Sequence, residues 1–432
     1  MSDIIRDVLA RVDAMEGELH ALTLRLANTY GPFGHEMATA RQVHEWFEAR
    51  RIPSRLIPLT EERASCVARL AGSGDGPTLA FNAHLDTEAS GPDFDALMNV
   101  PDPNKVGAHI EDGVVYGHTA QNDRACMAAQ MIAAAAVAES GVRLRGDVVI
   151  KAVLGETGAA PVDEYEGIGY AGKGTGTEHL LHHGYRPDYA IIAETTDFAP
   201  CWIQSGAIYA KVTVRGRNMY TPRLARGDSL PEHPNAIVKM ATVVQAVEAW
   251  AIRVQQERTY ETSCGTMEPK AQVGAIRGGL PWRPNRSAPY AAAYVDIRTV
   301  PGEDTGALVD SLRAAVDGTG VDAVIDVVME KGGYEGDAAA LSPVLRALDA
   351  AHRTVRGGPM QDRAETAVVS MWRDTNVYNR NGVPALTFGP GRGKAAVQGT
   401  GGLPLDELLD AARIYALTML DVCAGVTLDT DR

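Results

Sequence analysis

Residues 78–91 read TLAFNAHLDTEASG, an apolar, strand-like run that closes on a histidine and an aspartate two positions apart. Side chains at i and i+2 of a strand point to one face, so His84 and Asp86 stand together where the chain leaves the sheet. A carboxylate beside an imidazole fixes the tautomer of a histidine that binds metal or shuttles a proton. The plain alternative is a surface His–Asp pair at a strand end. The rest of the chain has to decide between them.

Working outward, helix and strand alternate. A long opening helix and a second around ATARQVHEWFEARRI precede strands near SRLIPL and SCVARLAG. After residue 91 come a helix at RACMAAQMIAAAAVAES, the strand GDVVIKAVLG, a helix at GTEHLLHHG and the strand DYAIIAET. This is the rhythm of an α/β fold, a central mixed sheet flanked by helices. Between about 204 and 330 the order becomes β-α-β-β-α-β, from AIYAKVTVRG to AVIDVVME, which is the ferredoxin-like α+β arrangement. The alternation then resumes through SPVLRALDAAHRTV, VPALTFGPG and LDELLDAARIYALTML. The expected architecture is a discontinuous catalytic domain, 1–203 with 331–432, and an inserted lid or dimerisation domain, 204–330.

Composition narrows the function classes. A chain of 432 residues is too long for one small core, and two domains are expected. The formal charge of −14, with no Lys/Arg cluster, points away from nucleic acid. Five scattered cysteines without a CxxC argue against a disulfide framework. The opening segment mixes apolar residues at helical spacing with acids, unlike a signal peptide, and MIAAAAVA is too short to span a membrane. The reading is a cytoplasmic protein with a small-molecule substrate and neither nucleic-acid nor membrane partners.

Four strand-end or loop sites share a chemical character. His84 and Asp86 close one strand, and Asn122 and Asp123 precede a helix in YGHTAQNDRACMAAQ. Glu156 follows an apolar strand in VLGETG, and Glu194 does the same in AIIAETTD. Ligands of open α/β sheets collect beyond the carboxyl ends of strands, so together these residues suggest a metal or acid–base site, although each alone reads as a solvated loop residue. GYAGKGTGT lacks the Ser or Thr after Lys173 that a phosphate loop needs. No GxSxG elbow offers a serine nucleophile. Cys126 reads as core, His118 as a residue near the site, and His182–His183 as a helix-end pair.

The order of these segments resembles the metallopeptidases that include aminoacylases, succinyl-diaminopimelate desuccinylase and glutamate carboxypeptidases. The resemblance covers nearly the whole chain. The family's His-x-Asp is matched by His84 and Asp86, and its Tyr-Gly-Arg-Gly-Ala-x-Asp-Met-Lys-Gly-Gly-Leu-Ala-Ala by YGHTAQNDRACMAA. Its Asp-x-Arg-x-x-Pro-Gly is matched by DIRTVPG, and its Gly-x-Pro…Gly-Pro-Gly by GVPALTFGPG.

The resemblance implies two bridged divalent metals, and this chain departs from that pattern. Asn122 falls on the bridging Asp, Glu156 on the general base, and Thr157 on a carboxylate ligand of the second metal. Gln398 or Val397 stands where the last His ligand would be, and Tyr220 replaces a substrate-binding His of the inserted domain. What remains is a site for one ion held by His84, Asn122 and Glu194, with Glu156 and Asp86 as catalytic groups. One nitrogen and two oxygens without thiolate suit Mn²⁺, with Zn²⁺ as the other choice.

A single ion polarises an ordinary amide less well than a pair, which favours a substrate that is already electron-poor. The expectation is therefore hydrolytic deamination of an activated aromatic amine, 5-nitroanthranilate to 5-nitrosalicylate and ammonia, by nucleophilic aromatic substitution. One branch of the resembled family follows that route. The alternatives are an amidohydrolase or dipeptidase acting on an N-acyl amino acid or dipeptide, with one ion or with two through a further ligand such as Asp123, and an inactive small-molecule-binding relative. Arg298 and Arg373 would hold the substrate carboxylate or nitro group, although Arg298 also suits an ion pair with Asp296. Tyr220 and Gln398 would bind polar substrate atoms or simply pack. The inserted domain resembles one that pairs chains, so a homodimer or larger homo-oligomer is expected.

Overall fold

The computed structural model describes residues 3–87, 107–263, 265–361, 369–391 and 402–428. Helices α1 (Asp3–Ala14), α2 (Glu16–Ala27) and α3 (Met37–Glu48) each turn one apolar stripe inward, with Val8, Val12, Leu19, Leu26, Val43 and Phe47 buried. Strands β1 (Ser54–Pro58) and β2 (Ala64–Leu70) pair antiparallel. They are followed by β3 (Leu79–His84), α4 (Ala125–Glu139), β4 (Val148–Val153), α5 (Thr175–His182) and β5 (Tyr189–Ile192). Both β3 and β4 are buried along their whole length, as strands covered on both faces must be. The alanine-rich α4 is buried from Ala125 to Val137, which fits a helix that is apolar all round.

A second layer system follows: β6 (Gly206–Arg215), α6 (Ala236–Glu257), β7 (Lys270–Gly278), β8 (Tyr290–Thr299), α7 (Thr305–Asp317) and β9 (Ala323–Lys331). The strands pair antiparallel in the order β7-β8-β6-β9. This is the ferredoxin-like order that the β-α-β-β-α-β run predicts. Asn235 and Asp304 cap the two helices by accepting from the amides of Ile237 and Ala307. The helices cover one sheet face through Val243, Trp250 and Leu312.

The chain then returns as α8 (Ala338–Arg356), α9 (Thr375–Arg380), β10 (Ala385–Thr387) and α10 (Leu405–Met419). The main sheet runs β1-β2-β4-β3-β5-β10, with β4, β3, β5 and β10 mutually parallel and β2 running against both its neighbours, β1 and β4, so it is mixed. One face packs against α1, α4, α8 and α10, the other against α5 and α9. Cys66, Cys126, Cys201 and Cys423 are buried. Among the described residues no helix is long and apolar enough to cross a membrane.

Candidate active site

Parallel pairing of β4, β3 and β5 brings their carboxyl ends to one edge of the sheet. His84 is the last residue of β3, Glu156 follows β4 by three positions and Glu194 follows β5 by two. The turn entering α4 closes the same place from above, with a cis peptide between Asn122 and Asp123. His84, Asp86, Asp123, Glu156 and Glu194 are all buried.

The histidine is held at both nitrogens. Its Nδ1 lies 2.7 Å from the backbone carbonyl of Asp86, which can only accept, so Nδ1 carries the proton. The Asp86 carboxylate, expected to orient the ring, is 3.9 Å away. It accepts instead from the amides of Glu156 at 3.0 Å and Thr157 at 2.7 Å, and from the Thr157 hydroxyl. Burial raises the proton affinity of Asp86, but the His84 charge and these three bonds bring it below the usual carboxylate range. Asp86 therefore holds the Glu156 turn against the end of β3.

His84 Nε2 lies 2.9 Å from Asn122 Oδ1. With the amide oxygen turned to a neutral ring, both facing atoms are acceptors, an arrangement that a cation between them would satisfy. Two donors each about 2.1 Å from a six-coordinate ion stand roughly 3.0 Å apart, so the spacing fits a shared metal. Burial disfavours the imidazolium, yet the acids Glu156, Asp123, Asp86 and Glu194 raise the ring to about 10, so without a metal a proton fills that role. Among the described residues nothing hydrogen-bonds to the buried Glu194 Oε1 and Asp123 Oδ1, which is costly unless a cation meets them. Asp123 Oδ2 accepts from the His84 amide at 3.4 Å. Among the described residues no three His, Cys, Asp or Glu side chains form a metal cluster by themselves. The set that fits is mixed, the His84 imidazole and the Asn122 amide oxygen with the Glu194 carboxylate in electrostatic reach.

Glu156 lies where a proton carrier is useful. Burial pushes its carboxyl up to about 8, against the opposing charges of His84 and Lys173. Thr157, beside it, spends its hydroxyl on Asp86 and brings no second carboxylate. Lys173 carries no site role in the sequence reading, yet it is buried in the left-handed region at φ 48°. Its amide donates to the Glu156 carbonyl at 3.1 Å. Gly158 and Gly172 make this crossing possible, since a Cβ on either would sit 2.3–2.4 Å from the other's Cα. The paired glycines of GETG and AGKG were the available signal.

The expected substrate-binding residues divide. Arg373 is buried and its Nε donates to Glu194 Oε2, so it serves a candidate metal ligand directly. Arg298 forms a fork on Asp296, with Nε 2.9 Å from Oδ1 and Nη2 3.0 Å from Oδ2, and it lies within electrostatic reach of Glu156. Tyr220 is 44% exposed, with the Arg286 guanidinium 5.8 Å from its ring centre. Gln398 lies outside the described residues.

Behind the strand ends runs a buried polar chain. Lys151 Nζ donates to the Tyr185 carbonyl at 2.6 Å and the Tyr378 hydroxyl at 3.0 Å. Tyr378 donates to Asn82 Oδ1, and Asn82 and Thr177 donate to Asp374 Oδ2. It ties β3, β4, α5 and α9 together beneath the site.

The chain was compared with known proteins. The family model described as peptidase family M20/M25/M40 matches residues 80–421. The acetylornithine deacetylase of Myxococcus xanthus is 25% identical over 374 residues, covering 84% of this chain and 85% of that protein. The di-peptidase Dug1p of Saccharomyces cerevisiae superposes with a TM-score of 0.69 at 12% identity, covering 97% of this chain and 98% of that one. The Bacillus subtilis YXEP protein, described as a dinuclear metal-binding M20 peptidase, superposes with a TM-score of 0.57 at 14% identity, covering 95% and 99%. The chain belongs to the peptidase family M20/M25/M40.

Proposed function

We propose that this chain is a metal-dependent hydrolase that cleaves the C–N bond of a small, carboxylate-bearing amide, an N-acyl amino acid or a dipeptide. It would use one divalent ion, Mn²⁺ before Zn²⁺, held by His84, Asn122 and Glu194. The observation that carries this reading is the 2.9 Å approach of His84 Nε2 to Asn122 Oδ1 beside the buried Glu156. The membership in a peptidase family and the likeness to an acetylornithine deacetylase support the amide over the aromatic amine.

When bound, a divalent ion supplies a positive charge that acidifies water and polarises the reacting carbonyl. Glu156 accepts the proton of the attacking water as its oxygen bonds to the carbonyl carbon. It then delivers that proton to the departing nitrogen as the C–N bond breaks, leaving a carboxylate and an amine. Asp86 keeps the Glu156 turn in place, and Arg298 anchors the substrate carboxylate.

A second reading, favoured by the absence of a carboxylate at Thr157, is hydrolytic deamination of an electron-poor aromatic amine such as 5-nitroanthranilate. Water would add at the ring carbon bearing the amino group, the nitro group would hold the ring electrons, and ammonia would leave. We infer a homo-oligomer as well. The edge strand β7 and the turn after it expose Ile276 and Trp282, at 52% and 72%, and an uncovered edge of this kind suits pairing with a second copy. The deciding experiment assays the Mn²⁺-loaded protein on N-acetylornithine, a dipeptide panel and 5-nitroanthranilate, following amine and ammonia release. Turnover of the nitroaromatic alone would replace the first reading with the second, and turnover undiminished in Glu156→Gln would remove both mechanisms.

A further inference from the structure

Among the described residues three arginines are deeply buried, and two of them are fully used. Arg63 forks onto Glu36 at 2.9 and 2.6 Å and gives Nη1 to the carbonyls of Ile168 and Ala171. Arg124 gives all three nitrogens to carbonyls, among them those of Leu26, Gly31 and Leu85. Such saturation is what burial of a guanidinium demands. Arg373 breaks the pattern. It is 4% exposed and its Nε serves Glu194 Oε2; among the described residues its Nη2 reaches only the Met371 sulfur at 4.0 Å, and its Nη1 is buried without a partner. Its carboxylate partner is equally unspent, since among the described residues Glu194 Oε1 is also buried and unpaired.

An ion pair with one vacant position on each side is a poor structural device and a good half-site. The free carboxylate oxygen calls for a cation, and the free N–H calls for an electron-rich oxygen. The neighbouring acids Glu156 and Asp123 act on the same guanidinium, so its positive charge lies among the acids of the site. We propose that Arg373 is the site's second fixed positive charge, a positioning residue that takes half of Glu194 and so leaves room and charge for one ion only. This rests on the one-ion reading above. Neutralising part of the Glu194 charge weakens the ion that Oε1 holds, and the positive charge itself repels a second ion.

The test is a chelator-competition titration of Mn²⁺ onto the full chain, wild type against Arg373→Met and Arg373→Lys, with folding checked by circular dichroism. The wild type is expected to hold one ion per chain. Arg373→Met is expected to hold its first ion at least tenfold more tightly, because Glu194 regains its full charge, and Arg373→Lys to stay within threefold of wild type. A residue that merely orients Glu194 gives the opposite sign, so weaker or unchanged binding in Arg373→Met overturns the proposal while the one-ion reading stands. Should Arg373→Met not fold, Arg373→Gln carries the same expected sign. A wild type that holds no ion, or two ions tightly, overturns the one-ion reading and this proposal with it.

Discussion

His84 and Asn122 face each other across 2.9 Å, imidazole nitrogen to amide oxygen, at the carboxyl end of β3. A neutral donor at position 122 gives the pair no charge of its own, so the ion's attraction comes from Glu194 and the surrounding acids. Asn122→Asp adds one negative charge at ligand distance and is expected to tighten Mn²⁺ binding by roughly tenfold or more, about 1.4 kcal/mol. His84→Ala removes the only imidazole of the set and is expected to abolish stoichiometric binding. Metal content after dialysis, measured by elemental analysis, checks both.

Glu156 is separated from the ion-binding set by role. Glu156→Gln keeps the shape and the backbone bonds to Asp86 and Lys173 but cannot carry a proton. The expected result is a fall in kcat of about 10²–10⁴ with unchanged metal content. A parallel loss of metal would make Glu156 a ligand instead.

Arg298 tests the substrate side. Its fork on Asp296 leaves it part-exposed and within electrostatic reach of Glu156. If it anchors a substrate carboxylate, Arg298→Ala should raise KM about tenfold or more while kcat changes little, the signature of binding shared by ground and transition states. A fall in kcat with KM unchanged would place it in the reaction step.

The strand ends were legible because β3, β4 and β5 are short apolar runs, and each ends in a group that apolar runs do not otherwise carry. The ferredoxin-like sheet was legible from element order alone. Three relationships were not. Arg373 and Glu194 lie 179 positions apart and meet only because α9 packs beside β5. Lys173 reaches Glu156 through a crossing of glycine backbones, which leaves glycines in the sequence but does not say what they cross. The sequence offers the Asp86 carboxylate as the partner of His84, whereas the ring meets the backbone carbonyl of Asp86 instead. A residue offers two acceptors, backbone and side chain, and only the turn decides which one faces the ring.

The glycine crossing is itself testable. In Gly172→Ala the new Cβ would meet the Gly158 Cα at 2.4 Å, backbone against backbone, so the loop must shift. Overpacking of this kind costs about 1–3 kcal/mol, read as a lower urea midpoint. Turnover at full folding should also fall, because the displaced segment carries Lys173 away from Glu156. Gly167→Ala is not an equivalent control, since φ is 98° there. Gly169→Ala is suitable, because its φ is not positive and a Cβ there meets no atom within 4 Å.

Lys151 makes a prediction about pH. Its amine is fully buried between Tyr185 and Tyr378, and burial lowers its proton affinity from the ordinary 10.5 to about 7, with Asp374 opposing. Between about 7 and 10.5 the folded amine is neutral while the unfolded one holds a proton, so unfolding takes up a proton. Stability contributed by this group therefore rises with pH across that window, by up to about 1.4 kcal/mol per pH unit, and is constant below it. Lys151→Met removes the titrating group. The difference in urea unfolding free energy, wild type minus variant, is expected to grow as pH rises from 7 to 9.5. A difference that stays flat would mean that Lys151 keeps its charge in the folded chain, and that the Tyr378 and Asp374 side chains hold an ammonium rather than an amine.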